Sequence, residues 1–250
     1  MKEARWFRDF SAVCVKGEIY LFSGNVGKKV EKLSLDSNAW EYATGMIDGR
    51  IQFSACSLMD SIFIIGGRKG KNMDGRDIAT CFEFVTKSFK WKQLSSMGNA
   101  RRASACSVFE GRIVVSGGSN NFRSLNAVEA YDHVGDAWEN MPSMIHKRFH
   151  HKSVAVKNKL FVIGGHSTSN CEVFDSTTNK FTLLNQPTLA PNILQHLSGL
   201  ITIGSKLFVF RNKGYVTIYD SKNDEWLEKT TEATKNLLCF SCASIPVRTC

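Results

Sequence analysis

The sequence repeats itself, and the repeat is what limits its possible folds. Gly66-Gly67, Gly117-Gly118 and Gly164-Gly165 each end a short apolar run, and the pairs stand 51 and 47 residues apart. Trp40, Trp91 and Trp138 reproduce those two intervals; Trp226 lies 88 residues beyond Trp138, and Phe181 sits near the midpoint of that span. Six residues after each of the first three aromatics comes Met46, Met97 or Met144, and four residues later Arg50, Arg101 or Arg148. Phe181 is followed at the same offsets by Pro187 and Pro191. Five units are visible, with Gly24-Asn25 and Arg211-Asn212 in place of the glycine pair in the first and fifth.

Each unit reads as four short antiparallel strands, a to d. In the fourth, Leu160 to Ile163 is an apolar run stopped by glycine, Cys171 to Phe174 alternates, and Phe181 opens the last strand. A single four-stranded sheet buries both faces only by stacking on neighbours, and a period of 40 to 50 residues with four strands points to an all-β propeller. The expected blades run over 11–46, 53–97, 103–144, 152–187 and 197–232, in one domain spanning 1–250. The glycines are expected where strand b ends against close-packed backbone. Residues 237–247 read as one further strand, the start of an incomplete sixth blade. With the blade fragment at the N-terminus, this makes the chain look like a fragment or short isoform. A five-bladed ring closing on itself is the competing outcome.

At this point the residues are similar to the kelch repeat: the three Gly-Gly pairs, the Val128 to Asp132 stretch leading to Trp138, and the Met-x-x-x-Arg links at 46–50, 97–101 and 144–148. The whole most resembles the C-terminal propeller of the BTB, BACK and kelch family, whose members serve as substrate adaptors of cullin-3 ubiquitin ligases. The resemblance implies a kelch β-propeller that recognises a protein substrate, with no catalytic residues and no cofactor. The BTB and BACK parts, which in that family carry dimerisation and cullin binding, have no counterpart in this sequence. A scaffold or cytoskeleton-binding kelch protein is the alternative reading.

Strand order a-b-c-d sends the b–c and d–a loops to one face. Those loops hold fifteen of the chain's 32 lysines and arginines and three of its 23 acidic residues, while the whole chain carries +9. Positive charge is therefore polarised toward one face, which would attract an acidic or phosphorylated partner segment. The partner-binding candidates are Arg68, Lys69, Arg76, Arg102, Arg123, Lys147 and Arg148. Arg148, like Arg50 and Arg101, repeats at one offset and has a second reading as an internal brace between loops. The structural repeat positions are Gly66, Gly67, Gly117, Gly118, Gly164, Gly165, Trp40, Trp91, Trp138, Phe181 and Trp226.

Other chemistries fail on context. His146, His150 and His151 crowd one loop, but no carboxylate or thiol stands near them in sequence to complete a metal set. Gly66 to Lys71 lacks the Lys-Ser/Thr step and the helix of a phosphate loop. Nucleic-acid binding would use the charge but finds little aromatic interleaving in the loops. An enzyme would need convergent acids that this face scarcely offers. No apolar run reaches membrane-spanning length, so no membrane partner is expected. Cys14, Cys56 and Cys106 fall in strand a and Cys81 and Cys171 at the start of strand c, as small buried hydrophobes would. Free thiols point to a cytoplasmic placement, with cytoskeletal and nuclear sites as alternatives.

Overall fold

The computed structural model describes residues 10–24, 28–34, 37–70, 75–168, 170–185, 194, 197–211 and 215–229. The expected sixth-blade strand at 237–247 lies outside the described residues. Over the described residues the fold is an all-β kelch-type propeller of five blades.

Blade one consists of β1 (Phe10–Val15), β2 (Glu18–Ser23), β3 (Lys29–Ser34) and β4 (Ala39–Gly45) in that spatial order. Blade two consists of β5 (Ser54–Leu58), β6 (Ser61–Ile65), β9 (Cys81–Val85) and β10 (Lys90–Leu94), with a two-stranded ribbon of β7 (Arg68–Lys69) and β8 (Arg76–Asp77) in its b–c loop. Blade three repeats this plan with β11 (Ala105–Phe109), β12 (Arg112–Ser116), β15 (Val128–Asp132) and β16 (Ala137–Met141). Its ribbon is β13 (Ser119–Asn120) with β14 (Arg123–Ser124). Blade four is β17 (Lys152–Val156), β18 (Lys159–Ile163), β19 (Glu172–Asp175) and β20 (Lys180–Leu183). Blade five is β21 (Leu197–Ile203), β22 (Lys206–Arg211), β23 (Val216–Asp220) and β24 (Glu225–Lys229). Every pairing within a blade is antiparallel.

The first strands β1, β5, β11, β17 and β21 stand side by side in sequence order around a channel of about 170 Å³ lined by residues from all five. The second strands carry the core. Successive side chains of a strand point to opposite sheet faces, so an apolar run between two neighbours feeds two cores at once. Thus Ile62 and Ile64 enter the core between blades one and two, while Phe63 and Ile65 enter that between blades two and three. Leu160 and Val162 face blade three, and Phe161 and Ile163 face blade five. Fully burying each such side chain is worth about 1.5–3 kcal/mol.

Three of the repeated aromatics tie their blade to the one before it. The indole N–H of Trp91 donates to the Gly45 carbonyl at 2.9 Å, that of Trp138 to Ser95 at 2.9 Å, and that of Trp226 to Asn185 at 2.7 Å. Phe181 has no such donor and instead lies buried against Phe174, ring centres 5.2 Å apart. Cys14, Cys56, Cys81, Cys106 and Cys171 are free thiols, and burial pushes those of Cys81 and Cys171 up to about 12.

Candidate functional site

The b–c and d–a loops are locked together by a chain of glycines and arginines. The N–H of Gly67 donates to the Arg101 carbonyl at 2.8 Å, and Arg101 Nη1 reaches on to the Gly117 carbonyl at 2.9 Å. Gly118 then repeats the step to the Arg148 carbonyl at 2.8 Å, and Arg148 Nη1 to the Gly164 carbonyl at 2.8 Å. The first glycine of each pair is required by this crossing: a Cβ on Gly66 would sit 2.5 Å from the Arg101 carbonyl oxygen, and one on Gly117 would sit 2.6 Å from that of Arg148. Both glycines also have positive φ, +59° and +54°. In the next link the Leu194 carbonyl takes the crossing position, accepting from Gly165 at 3.0 Å, and Pro191 lies outside the described residues.

Arg50, Arg101 and Arg148 are therefore internal, each 1% exposed or less. Arg101 Nη2 meets Glu129, and Arg148 Nη2 meets Glu172. Each carboxylate also accepts backbone N–H groups from the preceding link, Gly98 and Asn99 for Glu129, Ile145 and His146 for Glu172. A buried ion pair survives when its remaining lone pairs are satisfied in this way. Desolvation lowers the guanidinium pKa of Arg50 and Arg101 somewhat, opposed by the neighbouring Asp48 and Glu129 carboxylates. Arg148, one of the partner-binding candidates, thus stands as an inter-blade brace with no surface to offer.

Between blades two and three the ribbons build a second arrangement. Asp77 is buried and meets Arg68 Nη1 at 3.0 Å and Arg102 Nε at 3.3 Å, while its other oxygen accepts the Asn121 N–H at 2.8 Å. Arg102 Nη1 donates to Gln52 Oε1 at 3.0 Å. Over both guanidiniums lies Phe122, at 5.3 Å from Arg68 and 5.0 Å from Arg102. Phe122 is 64% exposed and sits at the ribbon tip with φ of 63°, a conformation that a bulky side chain rarely adopts. Such strain persists where the surroundings over-determine it and is concentrated at functional sites. One carboxylate against two guanidiniums leaves the ring resting on net positive charge.

The remaining sequence candidates divide by exposure. Arg68 and Arg102, at 3% and 9%, are buried beneath Phe122 and reach a partner only through it. Arg76, Arg123 and Lys147 are exposed, and exposed Lys69 pairs with Asp48 at 3.3 Å. Of the fifteen cations assigned to this face, Arg50, Arg68, Arg101, Arg102, Arg148 and Arg211 are buried, so the surface is less positive than a count along the sequence implies. The histidines do not converge on a metal. His146 sits 3.2 Å from Glu172 Oε1, whereas His151 is buried with Nε2 on the Ser116 hydroxyl at 2.9 Å, and desolvation holds its pKa well below the ordinary value. Among the described residues no group of three or more His, Cys, Asp or Glu side chains is arranged for a metal ion, and no helix is long and apolar enough to cross a membrane.

Phe122, Asp77, Gln52 and the pair Glu129 and Glu172 were not identified as site residues from the sequence. Asn120-Asn121 marks a turn tip, and an aromatic directly after it inside a charged loop is the signal that points to Phe122.

Comparison with known proteins agrees with this geometry. A family model described as the KLHDC2/KLHL20/DRC7 Kelch-repeats domain matches residues 9–210. Spermatocyte protein spe-26 of Caenorhabditis elegans is 28% identical over 159 residues, covering 60% of this chain and 28% of that protein. Kelch-like protein 25 of Xenopus tropicalis is 23% identical over 214 residues, covering 78% of this chain and 35% of that protein. The chain thus spans about a third or less of the length of these relatives. The solved structure of YjhT superposes with a TM-score of 0.79 at 14% identity, covering 91% of this chain and 84% of that one, a likeness of fold. The matched span, the glycine pairs and the blade topology agree, and the chain belongs to the KLHDC2/KLHL20/DRC7 Kelch-repeats domain family.

Proposed function

We propose that this propeller is a non-catalytic protein-interaction module that recognises an acidic segment of a partner on its b–c and d–a loop face, as the substrate-recognition part of a cullin-3 ubiquitin ligase adaptor. The observation that carries the reading is Phe122, an exposed ring held in a left-handed conformation on the Arg68 and Arg102 guanidiniums. A rigid aromatic with little conformational freedom to lose is the usual centre of a binding hot spot. The exposed Arg76, Arg123, Lys69 and Lys147 supply the same loop face with charges for carboxylates or phosphates. The ligase reading rests on the resemblance to BTB, BACK and kelch adaptors, in which the BTB and BACK parts carry cullin binding.

The test is quantitative titration of partners captured by crosslinking with the full-length protein. Phe122→Ala should weaken binding by about 2 kcal/mol, roughly thirtyfold, and the pair Arg76→Glu and Arg123→Glu should weaken it further and flatten its salt dependence. An unchanged affinity in both variants rejects the site. Loss of the partner's ubiquitination on cullin-3 depletion tests the ligase role separately.

A further inference from the structure

The face opposite the arginine-rich loops carries a cleft of about 630 Å³ between blades four and five. Its walls are the β17–β18 turn with Lys157, the β21–β22 turn with Gly204 and Ser205, and the β23–β24 turn with Ser221 and Lys222. The propeller provides its own reference for this place, because the junction of blades one and two is built from the same turns. There Lys16 Nζ meets Asp60 Oδ1 at 2.6 Å and Lys87 Nζ meets Asp60 Oδ2 at 3.0 Å, so one carboxylate bridges two ammonium groups. Those two lysines hold the Asp60 carboxyl below its usual range.

The correspondence is fixed by backbone. Thr86 N–H donates to the Asp60 carbonyl at 3.3 Å, and Ser221 N–H to the Ser205 carbonyl at 3.0 Å; the Thr86 and Ser221 hydroxyls each add a bond to the same carbonyl at 2.7 Å. Lys16 and Lys157 open their turns with the same positive φ, 50° and 54°. Lys157 therefore matches Lys16, Lys222 matches Lys87, and Ser205 stands where Asp60 stands. Both cations are kept and the carboxylate is gone. Among the described residues neither Lys157 nor Lys222 forms a salt bridge with a carboxylate, and Lys159, the third lysine in the lining, has only Asp175 at 3.9 Å. A Cβ on Gly204 would meet nothing within 4 Å, so the turn is open to an incoming chain.

We propose that this cleft is a second binding site, for an acidic peptide segment whose carboxylate bridges Lys157 and Lys222 as that of Asp60 bridges Lys16 and Lys87. Its volume falls in the range of specific ligand clefts, about 300–1,000 Å³. Ser205, in the lining, adds a hydroxyl beside the charges. The site is independent of Phe122 and the loop face, since it lies on the turns at the other end of the strands.

The test uses the full chain, isotope-labelled, titrated with acetyl-tetraglutamate amide at low salt and, in a separate arm, with inorganic phosphate. The peptide should give saturable amide shifts at Gly204, Ser205 and Ser221, and Lys157→Gln with Lys222→Gln should weaken binding about tenfold. Ser205→Asp is the decisive variant. It restores the internal carboxylate, so it should displace the peptide while leaving the melting temperature equal or higher. Peptide shifts that persist in Ser205→Asp, or phosphate binding with no peptide binding, overturn the proposal. Phe122→Ala should leave these shifts untouched, which keeps a failure here separate from a failure of the loop-face reading.

Discussion

The guanidinium carbon of Arg50 lies 4.9 Å from the centre of the Phe82 ring, in the slot where Arg101 and Arg148 meet Glu129 and Glu172. The register is unambiguous, because Thr80, Ala127 and Asn170 offer the equivalent carbonyls to the three arginines, each two residues before the slot. Blade two thus uses an aromatic face and the nearby Asp48, 3.5 Å from Arg50 Nη2, in place of a buried carboxylate. In blade five Thr217 takes the slot and Leu194 the crossing position, so both charges drop out together.

Removing the buried acid should be costly and removing the peripheral one should not. Glu129→Gln leaves the Arg101 guanidinium uncompensated at 0% exposure and should destabilise the propeller by about 3 kcal/mol. The Asp48 side chain is 20% exposed, so Asp48→Asn should stay within about 1 kcal/mol. Urea unfolding of the two variants, compared at equal m-values, checks the difference. Equal losses would mean that Glu129 is not the counter-charge this geometry makes it.

Two glycines separate conformational strain from collision. Gly111 has φ of 75°, and a Cβ added there would meet nothing within 4 Å, so Gly111→Ala should cost about 1–2 kcal/mol. Gly117 has φ of 54°, but its Cβ would also strike the Arg148 carbonyl at 2.6 Å and His151 Cε1 at 2.7 Å. Gly117→Ala should therefore lose about 2 kcal/mol more, or yield no folded protein. Melting temperature and soluble yield report it, and similar values for the pair would contradict the interlock.

The periodic part of this molecule was legible because it rests on local rules. Apolar alternation located the strands, and close backbone crossing explains why glycine recurs at 66, 117 and 164. The site was less legible. Arg68 and Arg102 read as partner-binding loop cations because their counter-charge, Asp77, reaches them only when β7 pairs with β8 and the ribbon folds toward blade three. Phe122 escaped notice since an exposed aromatic carries no periodic signal, and its left-handed backbone cannot be read from residue type. In the link after blade four the crossing carbonyl is that of Leu194, three residues past the position the fixed offsets point to.

Phe122 pits stability against presentation. Phe122→Gly relieves the positive φ while discarding the ring over Arg68 and Arg102, and the strain and the cation–π contacts are each worth about 1 kcal/mol. The melting temperature should consequently change by no more than a few degrees, while partner affinity falls as in Phe122→Ala. Calorimetry beside the binding titration checks both. A large stability loss would recast Phe122 as a structural lid on the arginines.

The last expectation concerns acid stability and His151. Folded His151 is buried, keeps Nε2 on Ser116, and is held neutral by desolvation and by the nearby Arg148 charge, whereas an unfolded histidine titrates at about 6.5. Below that pH the unfolded chain binds one proton more than the folded chain at this residue. The unfolding free energy therefore falls as pH falls, with a limiting slope of about 1.4 kcal/mol per pH unit, and the contribution vanishes above about pH 7.5. Blade two shows which substitution the place accepts: Phe53 packs its Cβ on Gly67 as His151 packs its own on Gly165. His151→Phe should accordingly fold, and its loss of stability between pH 7.5 and pH 5.5 should be smaller than the wild type's by about 1.4 kcal/mol. Urea titrations at the two pH values measure this difference. An identical pH dependence in the two proteins would show that His151 takes up its proton without unfolding, and hence that the folded core solvates the imidazolium at this position.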